Sequence, residues 1–99
     1  MNKLTSKQRA YLRSLAQTMD PIFQIGKSDV TPEITKAIDQ ALEARELIKI
    51  SVLNNCMEEP EEVMKVLSAR TQSLPIQIIG RKIILYRPSK DKPKIQLPK

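Results

Sequence analysis

Two arginines four residues apart, Arg9 and Arg13, and the tetrapeptide Gly26-Lys27-Ser28-Asp29 are the residues best suited to chemistry, and that chemistry is phosphate binding. Positions four apart are neighbours on a helix, and like charges there cost a few tenths of a kcal/mol. The pair therefore suits a bound anion, with Lys3 and Lys7 further round the same helix; a plain solvated face has the same composition. A glycine turn leading into a helix offers a phosphate backbone N–H groups and the positive end of the dipole. Lys27 adds a point charge to it, although an ordinary turn has the same sequence. Arg81-Lys82 is a further basic pair, placed in a turn.

Catalytic chemistry finds little support. The 99 residues contain no histidine, so the commonest base near neutral pH is missing. With one cysteine, Cys56, Cys–His catalysis and the usual zinc sites are excluded, and Cys56 reads as a small buried hydrophobe. Two glycines, Gly26 and Gly80, cannot build a nucleotide-binding loop. Glu58, Glu59, Glu61 and Glu62 cluster where a helix begins, which suits its dipole better than a metal. No enzyme, cofactor, metal or small-molecule substrate is expected. Tyr11, Phe23 and Tyr86 are the only aromatics, too few for a base-stacking platform, so phosphate contact should dominate any nucleic-acid binding.

The elements that must position these groups follow from spacing. Leu12, Leu15, Ala16 and Met19 predict a helix over 6–19, with Thr5 or Ser6 as cap and Asp20-Pro21 as its stop. A strand is predicted over 22–25. A helix follows from Thr31, with Pro32 in its first position and Ile34, Ala37, Ile38, Ala41 and Leu42 inward. Residues 47–53 predict a strand with Ile48, Ile50 and Val52 on one face and Lys49 and Ser51 on the other. Asn54-Asn55 marks a turn, and Pro60 opens a helix to about Thr71 with Val63, Val66 and Leu67 inward. Strands over 76–79 and 82–86 are joined by Gly80-Arg81, a composition suited to a type II′ turn. The order α-β-α-β-α-β-β predicts one layered α/β domain with a mixed four-stranded sheet and one core. Beyond residue 87 the chain is rich in Pro and Lys, so 1–87 reads as the domain and 88–99 as a basic flexible tail.

The net charge of +6 is uneven: +3 over 1–30, −5 over 31–62 and +8 over 63–99. Basic ends attract polyanions, nucleic acid above all. The acidic middle leaves an alternative, a protein-interaction module with this segment as its contact face. The lone thiol excludes an intrachain disulfide, no apolar run approaches the roughly 20 residues of a membrane helix, and the polar start carries no signal-peptide core. A cytoplasmic protein without a membrane partner is expected.

Four stretches together resemble the CRM domain (chloroplast RNA splicing and ribosome maturation). They are the opening Leu4-Thr5-Ser6-Lys7-Gln8-Arg9 through Leu15-Ala16, then Gln24 to Thr31, Ala41 to Ile50, and Ile79 to Arg87. They occur in order over roughly residues 3–88, and the free-standing bacterial YhbY-type form is the most similar. The resemblance implies a fold like the C-terminal domain of translation initiation factor 3. It also implies binding to ribosomal RNA in precursor large ribosomal subunits during ribosome assembly, or, as the alternative, docking on a ribosomal protein or assembly factor; a monomer is expected. The family loop is usually Gly-x-x-Gly, as in KH domains, and is implicated in RNA contact. Here its fourth position is Asp29, which adds a Cβ and a negative charge beside the expected phosphate. The expected RNA-binding residues are therefore Lys7, Arg9 and Arg13, Gly26 to Asp29 (Gly26, Lys27, Ser28, Asp29), and Arg81 with Lys82.

Overall fold

A computed structural model describes residues 3–99. The order is α1 (Ser6–Ala16), β1 (Phe23–Ile25), α2 (Pro32–Arg45), β2 (Leu47–Val52), α3 (Pro60–Thr71), β3 (Leu74–Ile79) and β4 (Lys82–Tyr86). This is the expected small α/β domain. The four strands lie in the order β1-β2-β4-β3, with β1 parallel to β2 and the remaining pairs antiparallel. No helix among the described residues is long and apolar enough to cross a membrane.

Local chemistry sets the helix ends. Thr5 and Gln8 form a capping box on α1, each side chain accepting from the other's backbone N–H. α1 ends at Ala16, short of the expected residue 19, because the Met19 N–H turns back onto the Ala16 carbonyl. Thr31 caps α2, its hydroxyl accepting from the Ile34 N–H at 3.1 Å, and Pro32 occupies the first turn. Pro60 does the same for α3, where Glu61 and Glu62 complement the dipole. Gly80, at φ 58°, makes the tight β3–β4 turn.

Alternation along the strands produces two apolar clusters, one on each side of the sheet, where one core was expected. α2 and α3 cover Ile48, Ile50, Val52, Ile83 and Leu85 with Ile38, Leu42, Val63 and Leu67. On the other side, α1 places Leu12 and Ala16 over Leu47, Ile76, Ile84 and Tyr86. A bulge at Ile76 lets both Ile76 and Gln77 oppose Ile84.

Residues 88–99 differ from the expected loose tail. They form no helix or strand, yet they are strapped to the domain by carboxylates of the acidic middle segment. Glu46, 0% exposed, accepts from the backbone N–H groups of Ser89, Lys94 and Ile95 at 2.6–2.8 Å. Glu43 accepts from the Ser89 hydroxyl at 2.6 Å and from the Lys90 N–H. Ile95 and Leu97 then pack on the α1 cluster, and the Gln8 side chain donates to the Pro98 carbonyl at 3.0 Å. Composition hid this, because the anchors are backbone N–H groups, which every residue but proline carries.

The strap is linked to pH. Burial pushes the Glu46 pKa up, but the three N–H donors and the Lys94 charge outweigh it and hold the carboxyl below its usual value. Glu43 is lowered chiefly by the Ser89 hydroxyl and the Lys90 N–H. With folded pKa values below unfolded ones, this stabilisation is complete above the ordinary value of 4.5 and is lost as pH falls through the lowered values. Thermal melts should show a midpoint that falls steeply below that pH, and less steeply in a Glu46→Gln protein. A parallel fall in both would separate the strap from the acid transition.

Candidate nucleic-acid interface

The expected binding residues fall into two groups at opposite ends of the sheet. Ile25 pairs with Val52, and Ser51 with Lys82, so β1 and β2 finish where the β3–β4 turn sits. The Gly26–Asp29 loop and the Arg81-Lys82 pair therefore share one end. Arg9 lies at the other, its guanidinium donating to the carbonyl of Pro75 at 3.0 Å near the start of β3. From Pro75 to Ile79 is roughly 13 Å at strand rise. Lys7 is exposed in the first turns of α1, and Arg13 is half-buried in its last turn.

At the loop end, three connections are tied together. The Leu53 N–H donates to the Ile25 carbonyl at 2.8 Å, and the Val52 N–H to the Arg81 carbonyl at 2.7 Å. Arg81 spends its own donors on this frame: Nε reaches the Val52 carbonyl at 2.9 Å and Nη2 the Leu53 carbonyl at 3.0 Å. It positions this frame with two of its five N–H donors and keeps three for a ligand. Gly26 lies against Asn55; a Cβ there would come within 2.9 Å of the Asn55 Oδ1. Lys27, Ser28 and Lys82 are exposed, and the N–H groups of Lys27 and Ser28 have no partner among the described residues.

Asp29 sits in the left-handed region at φ 59°, which aspartate tolerates better than most residues. Its carboxylate does not cap α2; Thr31 does. Instead it accepts from the thiol of Cys56 at 3.6 Å. Burial, reinforced by the neighbouring Asp29 charge, pushes the Cys56 pKa up, so the thiol stays protonated and able to donate. The Asp29 carboxylate expected beside the phosphate thus meets the buried Cys56 thiol of the β2–α3 connection.

The ion pairs among the described residues are those of Arg87 with Asp39 and Glu43. Among the described residues Lys7, Arg13, Lys27 and Lys82 have no carboxylate within ion-pair distance, so both groups keep positive charge without an ion-pair partner. No cluster of His, Cys, Asp or Glu among the described residues suits a metal ion. Sequence reasoning missed Lys49, buried on the α1 side of β2, and Glu46. Glu46 left one signal, a carboxylate at a helix C-terminus where the dipole disfavours it.

The family model described as the CRS1 / YhbY (CRM) domain matches residues 4–87. The chain is 48% identical over 95 residues to the Probable RNA-binding protein YqeI of Bacillus subtilis, covering 96% of this chain and 99% of the relative. It is 33% identical over 99 residues to a protein of Haemophilus influenzae named RNA-binding protein, covering 100% of this chain and 99% of that one. The solution structure of a hypothetical protein from Staphylococcus aureus superposes with a TM-score of 0.80 at 49% identity, over 97% of this chain and 100% of that chain. The chain belongs to the CRS1/YhbY (CRM) domain family.

Proposed function

We propose that this chain is a monomeric, non-catalytic RNA-binding protein of the cytoplasm that grips RNA through its phosphates. Its target in this reading is ribosomal RNA in precursor large ribosomal subunits during assembly. The observation that carries the reading is the loop end of the sheet. There Lys27, in the β1–α2 loop, and Lys82, at the start of β4, lie exposed at the same end of the sheet, and among the described residues neither has a carboxylate partner and the N–H groups of Lys27 and Ser28 have no acceptor. Unpaired cations and backbone donors at one place suit a phosphate. The names of the relatives from Bacillus subtilis and Haemophilus influenzae agree with RNA as the partner. The ribosomal target rests on the family likeness.

The test is a titration of the purified protein with ribosomal RNA fragments, duplex DNA and heparin at several salt concentrations. Affinity for RNA should fall with salt along a log–log slope of several units, since each phosphate contact releases counterions. Sedimentation of cell extracts should place the protein with particles lighter than the mature large subunit. A salt-insensitive complex would point to protein docking instead, and a protein that stays at the top of the gradient would remove the ribosomal target.

A further inference from the structure

Lys49 lies in the middle of the sheet at 6% exposure, yet it has no ion pair and its ammonium donates no hydrogen bond among the described residues. A lysine buried to this degree is ordinarily paired. Its ammonium is not sealed in, however: the enclosed side-chain polar atom without a partner is Arg87 Nε. Lysine buries its stem and keeps its charged head at the surface.

Strand register shows which surface that is. Lys49 pairs with Ile84, and Ser51, two residues on, leaves the same face. Ser51 pairs with Gln24 on one side and Lys82 on the other, and Lys82 pairs with Ile79. Gln24, Ser51, Lys82 and Ile79 thus form one cross-strand row about 14 Å wide on the α1 side of the sheet. α1 covers the rows nearer Leu47 and Ile84 and leaves this one open: Gln24 and Lys82 are exposed and Ile79 is 44% exposed. The row ends beside the Gly26–Asp29 loop and the Gly80-Arg81 turn.

We infer that this open row, with Lys49 behind it, is the floor of the RNA interface and binds the sugar-phosphate backbone of a single strand. The inference rests on the RNA-binding reading above. Lys49 and Lys82 supply the charge, while the amide of Gln24 and the hydroxyl of Ser51 hydrogen-bond to phosphate or ribose oxygens. An uncompensated cation emerging from a largely buried position is screened less by salt than one on an open surface.

Fluorescence anisotropy with a labelled oligouridylate tests the assignment, using the full chain and two variants. Lys49→Met keeps the stem and removes the charge. Affinity should fall about tenfold and the salt slope by about one, while the melting temperature holds or rises. Gln24→Glu changes only an exposed side chain and should weaken binding about fivefold. If the parent binds and both variants bind equally well, the floor is not a contact and the RNA reading survives. If only Lys49→Met loses affinity and its melting temperature falls too, Lys49 is structural and the assignment fails. A parent that ignores the oligouridylate but binds polyglutamate ends both readings in favour of an acidic protein partner.

Discussion

Glu46→Gln should lower the melting temperature by on the order of 10–20 °C without altering the sheet. The carboxylate accepts from three backbone N–H groups and is wholly buried. A glutamine amide has one oxygen and one NH₂, so one side would face N–H donors with a donor of its own. Hydrogen bonds to a charged group are each worth about 1.5–3 kcal/mol, and a buried donor left unsatisfied costs about 1–3 kcal/mol. A net loss of about 2–3 kcal/mol allows for partial rescue by the remaining oxygen. In a domain of this size each kcal/mol moves the midpoint by about 4–8 °C. Truncation after Arg87 supplies the control, because it removes the donors along with the strap. In that background Glu46→Gln should cost little, and the two changes together much less than their sum. A fully additive result would mean that Glu46 acts on the domain and not on the strap.

That residue also shows where the sequence ran out. Helices, strands and turns were legible because each rests on neighbours along the chain: Thr5 with Gln8, Thr31 before Pro32, Gly80 in a two-residue turn. The split of Ile48, Ile50 and Val52 from Lys49 and Ser51 followed from strand alternation and placed the two faces correctly. Contacts spanning about half the chain were not legible. Glu46 stands at φ 70°, where glycine is usual after a helix, and its place is secured by N–H groups more than forty residues away. The same holds for Arg87, whose guanidinium reaches the Asp39 side chain and carbonyl and the Thr71 carbonyl. At the interface, residue types pointed to the basic groups but not to their grouping. Arg9 and Arg81 looked alike as free cations, whereas both are committed to backbone carbonyls.

The separation of the basic groups leads to the largest expected change in binding. Lys27→Glu with Lys82→Glu reverses the charge at the loop end of the sheet while touching two exposed side chains without ion pairs. At about 4 Å in water-like surroundings one charge contact is worth about 1 kcal/mol, so each reversal changes about 2 kcal/mol. The pair should therefore weaken RNA binding roughly a hundredfold to a thousandfold at low salt, less at high salt where charges are screened. The melting temperature should move little, since surface changes of this kind stay within about 0.5 kcal/mol each. Lys7→Glu with Arg13→Glu is the matched change on α1, and it should cost less than tenfold. Those residues lie six positions apart along one helix, about 9 Å by its rise, so a single phosphate cannot be held by both. Arg9 is left out of the pair because its bond to Pro75 would confound binding with stability. Gel-shift titrations of both double variants against one ribosomal RNA fragment, at two salt concentrations, decide the matter. If the α1 variant loses as much affinity as the loop-end variant, RNA spans the whole length of the sheet. If it loses more, the principal phosphate site lies on the helix and the loop end is peripheral.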